Sequence, residues 1–158
     1  MIFVITGTQL PFDRLIRMLD ELAPQLNEEI VAQVNGSGYL PHHINTIDIL
    51  PPDEFDRLFN RARLIVAHAG MGTILSALTM HKPLIVFPRI AALGEHRNEH
   101  QLATAEKMKE AGYCYVATDK EELQSLLLTP DLRPLYSIGE YASDSLVRSL
   151  EEFIDLEL

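Results

Sequence analysis

Leu64-Ile-Val-Ala-His-Ala-Gly-Met-Gly-Thr-Ile-Leu75 passes from four apolar residues through two glycines into a second apolar segment. An unbroken apolar run suits a strand covered on both faces of a sheet, so Leu64–Ala67 reads as a buried strand and Thr73–His81 as the helix after it. The pattern repeats in both directions. Upstream, Ile2–Ile5 is β-rich and leads through Thr6-Gly7-Thr8 into helical spacing over Pro11–Leu26, with Leu15, Ile16, Leu19 and Leu22 on one face. Glu29–Val34 and Thr46–Leu50 are further strands, separated by a loop containing Asn35-Gly36-Ser37-Gly38. Pro51 and Pro52 stop the latter strand, and Asp53, in N-cap position, opens a helix to Arg63 with Phe55, Leu58, Phe59 and Ala62 on one side. Downstream come a strand over Pro83–Pro88, a loop from Arg89 to Gly94, a polar helix from His96 to Ala111 stopped by Gly112, and a short strand over Tyr113–Ala117. Asp119 then caps a helix through Leu128, and Ile138–Ile154 is an amphipathic helix carrying Tyr141, Leu146, Leu150 and Phe153.

Strand-helix alternation with apolar strands predicts an α/β fold: a Rossmann-like parallel sheet with helices on both faces, because right-handed crossovers place them there. At 158 residues, 47% hydrophobic and with no low-complexity linker, the chain reads as a single domain over residues 1–158. In such sheets ligands bind at the carboxyl ends of the strands. Two glycine-bearing turns fall there, Thr6-Gly7-Thr8 and His68 to Thr73.

A formal charge of -10 opposes nonspecific attraction to nucleic acid or to an anionic membrane, so nucleic acid is not an expected partner. Any phosphate-bearing ligand must then be held by local dipoles. No apolar run approaches the roughly 20 residues that span a bilayer, and the start Met1-Ile-Phe-Val-Ile-Thr6 is unlike a signal peptide. A cytoplasmic location is expected. Cys114 is the only cysteine, which excludes an intrachain disulfide and a cysteine metal cluster; it reads as a small buried hydrophobe.

The stretch Val66–Leu75 has the build of a phosphate site. Glycines let the backbone approach an anion, and the N–H groups of the first helical turn carry partial positive charge, so a diphosphate can be bound without lysine. Thr73 can cap the helix and offer a hydroxyl, and His68 can donate a ring N–H from the strand end. The plainer reading is that Gly70 and Gly72 only shape a tight turn. The third glycine of the dinucleotide fingerprint is missing, and no Gly-x-x-x-x-Gly-Lys-Ser/Thr occurs, which disfavours NAD and P-loop chemistry. Asp-x-Asp is absent too, against a transferase that holds its nucleotide through a carboxylate-bound divalent ion.

Gly94-Glu-His-Arg-Asn-Glu-His-Gln101 is denser in polar groups than capping requires, and His100 with Gln101 can present donors and acceptors to sugar hydroxyls. A solvated helix start is the plainer reading. The same segment spells His-x-x-Glu-His from His96 to His100, the inverse zinc-protease pattern, for which no clear third ligand is found. His42-His43 read as loop residues and His81 as a helix end.

From Thr6-Gly7-Thr8 with Phe12-Asp-Arg-Leu-Ile16, through His68–Leu75 and Lys82-Pro-Leu-Ile-Val-Phe-Pro88, to Gly94–Gln101, the sequence resembles the carboxyl-terminal half of GT-B glycosyltransferases of the family 28 type. Within it, the sequence resembles the small glycosyltransferase subunits of lipid-linked glycan and exopolysaccharide assembly. The resemblance implies a UDP-sugar donor, no cofactor and no metal. It implies that Gly7, Thr8, His68, Gly70, Gly72 and Thr73 surround the diphosphate, with His68 catalytic. Ile49 and Leu50 would cradle the uracil, and His100 and Gln101 would touch the sugar. Ser76 stands where the family usually has a ribose-binding Glu, and His81 where a glycine is common. A complete GT-B enzyme has two such domains, so the resemblance implies a catalytic subunit extending a lipid-linked acceptor in polysaccharide biosynthesis. It would be recruited to the inner membrane face by a membrane-anchored, acceptor-binding partner of the Alg14 or PssD type, which would supply the general base. The alternatives are a non-catalytic nucleotide-sugar-binding module and a metal-dependent hydrolase using His96 and His100.

Overall fold

A computed structural model describes residues 1–139 and Arg148. Six strands, β1 (Ile2–Ile5), β2 (Ile30–Gln33), β3 (Asn45–Ile47), β4 (Leu64–Ala67), β5 (Leu84–Val86) and β6 (Tyr115–Val116), form one parallel sheet in the order β3-β2-β1-β4-β5-β6. The central strand β1 pairs on one side with β2, Ile2 opposite Ile30, and on the other with β4, Ile2 opposite Leu64. Both neighbours bury it, so Ile2 to Ile5 are apolar at every position.

Among residues 1–139 five helices cover the sheet: α1 (Asp13–Leu22), α2 (Pro52–Arg61), α3 (Met71–Thr79), α4 (His100–Glu110) and α5 (Lys120–Leu128). Successive β1 side chains divide between two cores. Ile2 and Val4 pack with Leu15, Ile16 and Leu19 of α1 and Leu123 and Leu127 of α5. Phe3 and Ile5 pack with Phe59 of α2, Ile74 and Leu78 of α3 and Ala105 of α4. The expected Rossmann-like architecture with helices on both faces is therefore present.

Several element boundaries differ from expectation. The first helix ends at Leu22, and a separate 3-10 turn, Ala23–Gln25, follows because Pro24 cannot donate to the α ladder. The third strand ends at Ile47, leaving Ile49 and Leu50 in a loop. Asp53 does not cap α2: Pro51 is the N-cap, with no side-chain hydrogen bond, and Asp53 lies in the first turn, where its charge still favours the helix dipole. Thr73 does not cap α3 either, since Gly70 holds the N-cap position and Thr73 is the third helical residue. His81 lies beyond the end of α3 at φ +52, left-handed backbone that glycine adopts at lower cost.

Asp119 does cap α5, accepting the Glu122 N–H at 2.8 Å. Cys114 is buried, and burial pushes its thiol up to about 11. His42 and His43 sit in a loop whose N–H groups donate to the buried Asp20 carboxylate at 2.9 and 2.6 Å. The amphipathic helix with Tyr141, Leu146, Leu150 and Phe153 lies outside the described residues. Among the described residues no helix is long and apolar enough to cross a membrane.

Candidate functional site

The chain leaves β1 for α1 on one face and β4 for α3 on the other, so the carboxyl ends of these adjacent strands open a crevice at the topological switch point. A cleft of about 690 Å³ occupies it. That volume is in the range of small-molecule and nucleotide sites. Gly7, Thr8, His68, Gly70, Gly72, Thr73, Leu50, Ser76, His100 and Gln101 all line it. Of the residues singled out from the sequence, Ile49 stands apart: it does not line the cleft and its side chain is 84% exposed.

His68 is the first residue after β4 and is held by its surroundings. Its Nδ1 lies 3.3 Å from the Ile5 carbonyl oxygen, so the N–H resides on Nδ1 and Nε2 is an acceptor in the neutral ring. With Nδ1–H committed to Ile5, donation of a ring N–H from Nε2 requires a second proton. The two turn glycines are explained by this ring. A Cβ at Gly70 would lie 2.2 Å from His68 Nε2, and one at Gly7, where φ is +85, would lie 2.8 Å from Cε1. Gly72, by contrast, has nothing within 4 Å of where its Cβ would be. The space it leaves is on the cleft side of the first turn of α3, where unsatisfied N–H groups gather.

Burial is the main cause that lowers the His68 pKa; the Ile5 hydrogen bond opposes it, while the charges of Arg89 and His96 add to it. The folded protein thus takes this proton less readily than the unfolded chain, whose imidazole titrates at about 6.5. The stabilisation is complete above that value and is lost as pH falls through the lower folded value. Urea melts of the unliganded protein between pH 7 and 5 are expected to show stability declining with acidification, and His68→Gln to flatten the decline. An unaltered slope in the variant refutes the assignment.

Gln101, the second residue of α4, is 7% exposed. Its Oε1 accepts the N–H of Ala69 at 3.3 Å and of Arg89 at 3.1 Å, bracing the chain just past β4 and β5. With the oxygen engaged by two backbone N–H groups, the amide nitrogen is the group Gln101 can turn toward a ligand. His100, at the start of the helix, is exposed.

The expected helix start at His96 is also corrected, because α4 begins only at His100. His96 lies in the preceding loop, its Nδ1 3.0 Å from the Asn98 carbonyl oxygen, so His96 and His100 are not one turn apart on a helix. Among the described residues no three His, Cys, Asp or Glu side chains converge as a metal would need. The geometry that the His-x-x-Glu-His reading requires is not formed.

Three residues of the cleft region escaped the sequence reading. Gln33, at the end of β2, lines the cleft and donates from Nε2 to the Asp48 carbonyl at 3.2 Å, steadying the loop that carries Leu50. Glu95 is buried and pairs with Arg14, Nε to Oε1 2.7 Å and Nη2 to Oε2 2.8 Å. Arg89 is 3% exposed and lines the cleft. Their partners are distant in sequence, so no local pattern marks them.

The glycosyltransferase family 28 C-terminal domain model matches residues 1–145. No curated protein sequence matches the chain. Among solved structures, the NMR solution structure of ALG13 is similar with a TM-score of 0.58 and 20% identity, over 94% of this chain and 93% of that one. MurG of Acinetobacter baumannii is similar with a TM-score of 0.58 and 19% identity, over 83% of this chain but 42% of its own. A putative UDP-N-acetylglucosamine 2-epimerase of Listeria monocytogenes reaches a TM-score of 0.62 at 14% identity, over 97% of this chain and 45% of its own. At these identities the likenesses show the fold. The chain thus spans nearly all of ALG13 and under half of the other two.

Proposed function

The chain belongs to the glycosyltransferase family 28 C-terminal domain family, and from that premise we propose that it binds a UDP-sugar as the donor-binding, catalytic subunit of a heteromeric glycosyltransferase. The observation that carries this reading is the cleft at the β1/β4 switch point. Its walls hold the first turn of α3, the Gly7–Thr8 loop and the His100–Gln101 pair around one volume of about 690 Å³.

In this reading the donor diphosphate lies over Gly72, against the N–H groups at the start of α3, with Thr73 and Thr8 offering hydroxyls. The helix terminus meets the charge that grows on the departing UDP, the role a divalent ion has elsewhere, so no cofactor or metal is assigned. His68 enters the site neutral. A diphosphate near Nε2 favours the imidazolium, which then donates to the leaving group. Leu50 packs on the base, and Ser76 grips the ribose with a hydroxyl in place of a carboxylate. The Gln101 amide nitrogen and the exposed His100 ring face the sugar. We assign the acceptor, a lipid-linked glycan in polysaccharide assembly, to a membrane-anchored partner subunit that also supplies the general base. The protein works on the cytoplasmic side of that membrane.

Isothermal titration calorimetry with UDP-N-acetylglucosamine, UDP-glucose and GDP-mannose tests the donor. Binding of a UDP-sugar but not of GDP-mannose is expected. No heat with any uridine nucleotide refutes the reading, and sugar transfer by the chain without a second subunit refutes the heteromeric part.

A further inference from the structure

The acidic composition argues that a phosphate ligand must be held by dipoles alone, yet one cation lies at the cleft. Arg89 follows β5 by three residues, is almost fully buried, and spends its Nη hydrogens on carbonyl oxygens. Nη2 donates to Thr6 and Leu10, each at 2.6 Å, and Nη1 to Pro11 at 2.7 Å and Glu95 at 3.1 Å. Carbonyls satisfy the hydrogen bonds but carry no net charge. Glu95 is the carboxylate whose charge reaches Arg89, and Arg14 already holds it with two hydrogen bonds. Arg14, Glu95 and Arg89 together therefore carry one net positive charge, set into a chain of charge -10.

The hydrogen bonds also orient the β1–α1 loop. A trans peptide sets its N–H opposite its C=O. The Thr6 carbonyl that points at Arg89 turns the Gly7 N–H away from it, and among the described residues nothing accepts from the N–H of Gly7 or Thr8. Both residues line the cleft. The Leu10 carbonyl precedes Pro11, which has no N–H, so the donor that Arg89 sets through the main chain is the Gly7 N–H, and with the cation behind it the loop makes an anion seat.

We propose that Arg89 is the positioning residue of the anion-binding half of the cleft: it fixes the Thr6–Leu10 loop with the Gly7 N–H turned to the ligand and supplies the buried positive charge against which a diphosphate is held. The proposal rests on reading the cleft as a nucleoside-diphosphate site. Phe12 completes the seat, its ring centroid 4.5 Å from the guanidinium carbon, covering the cation on the side away from water.

Calorimetry of the full chain with UDP, uridine and inorganic pyrophosphate, on wild type, Arg89→Met and Arg89→Lys, tests it. Arg89→Met is expected to weaken UDP and pyrophosphate by about tenfold or more, as loss of a buried charge near an anion implies, with uridine unchanged. Arg89→Lys, which restores the charge but not the fork, is expected to fall between Arg89→Met and wild type. Equal losses for uridine and UDP, or a lysine variant no better than methionine, overturn the proposal in favour of a purely structural arginine. If Arg89→Met does not fold, Arg89→Lys decides alone, and wild-type UDP affinity in it overturns the proposal. A wild type that binds pyrophosphate but neither UDP nor uridine refutes the nucleotide reading while leaving Arg89 to be judged on pyrophosphate. A wild type that binds none of the three refutes both.

Discussion

Gly70→Ala is expected to weaken UDP binding by more than about tenfold and to cost about 1–3 kcal/mol of stability, as forced overpacking does. The new methyl would fall 2.2 Å from His68 Nε2, so the ring must leave the place that Ile5 holds for it. For a domain of this size the expected drop in Tm is roughly 3–10 °C. Gly72→Ala is the informative contrast. Nothing stands within 4 Å of its Cβ position, so the fold is expected to tolerate it or gain up to about 1 kcal/mol from the better helix former. UDP affinity should nevertheless fall, because the methyl stands where the anion would approach the first turn of α3. Thermal melts are expected to separate the two variants, Gly70→Ala falling and Gly72→Ala holding or rising, while calorimetry shows weaker UDP binding in both. A Gly72→Ala protein with full UDP affinity would show that no ligand comes close there.

The second large effect is expected at Gln101. Gln101→Leu strips the acceptor from two backbone N–H groups, those of Ala69 and Arg89, and each unsatisfied buried donor costs about 1–3 kcal/mol. A combined loss of about 2–5 kcal/mol should be visible in urea denaturation. Gln101→Glu keeps an oxygen for both donors and exchanges the amide nitrogen for a second oxygen with a negative charge. It is expected to cost less stability than Gln101→Leu and, beyond the repulsion that UDP and a UDP-sugar share, to weaken the UDP-sugar further. If UDP and UDP-sugar weaken alike, the nitrogen does not touch the sugar.

The elements most legible in the sequence are those whose signal is local. Leu64–Ala67 is an apolar run ended by a glycine-bearing turn, and the strand occupies those four residues. Asp119 before an amphipathic stretch caps it as the residue type suggests. Where a choice depended on distant partners, the local signal misled. Thr73 suits an N-cap by residue type, yet α3 begins at Met71 behind Gly70, which fits against a His68 ring held by the Ile5 carbonyl sixty-three residues earlier. The polar segment before His100 looked helical from its spacing, but Glu95 is drawn away by Arg14, eighty-one residues earlier in the chain. Glycines, threonines and a histidine at the ends of β1 and β4 mark part of the cleft lining. Arg89 was read as mere loop because its partners are main-chain oxygens near the other end of the domain, which no residue type announces.

The position of β1 has a consequence for how the chain is made. It precedes the other five strands in the chain and lies inside the sheet, with Ile2 paired to Leu64 on one side. Until β4 leaves the ribosome, that edge of β1 has no partner, and parallel pairing of this kind is slow because loop closure must come first. A nascent chain that has emerged through β1 but not yet through β4 therefore displays an open, sticky strand. Stalled translation before Ala67 would yield an aggregation-prone fragment, and a nascent-chain chaperone bound at Ile2–Ile5 would have to release it as β4 arrives.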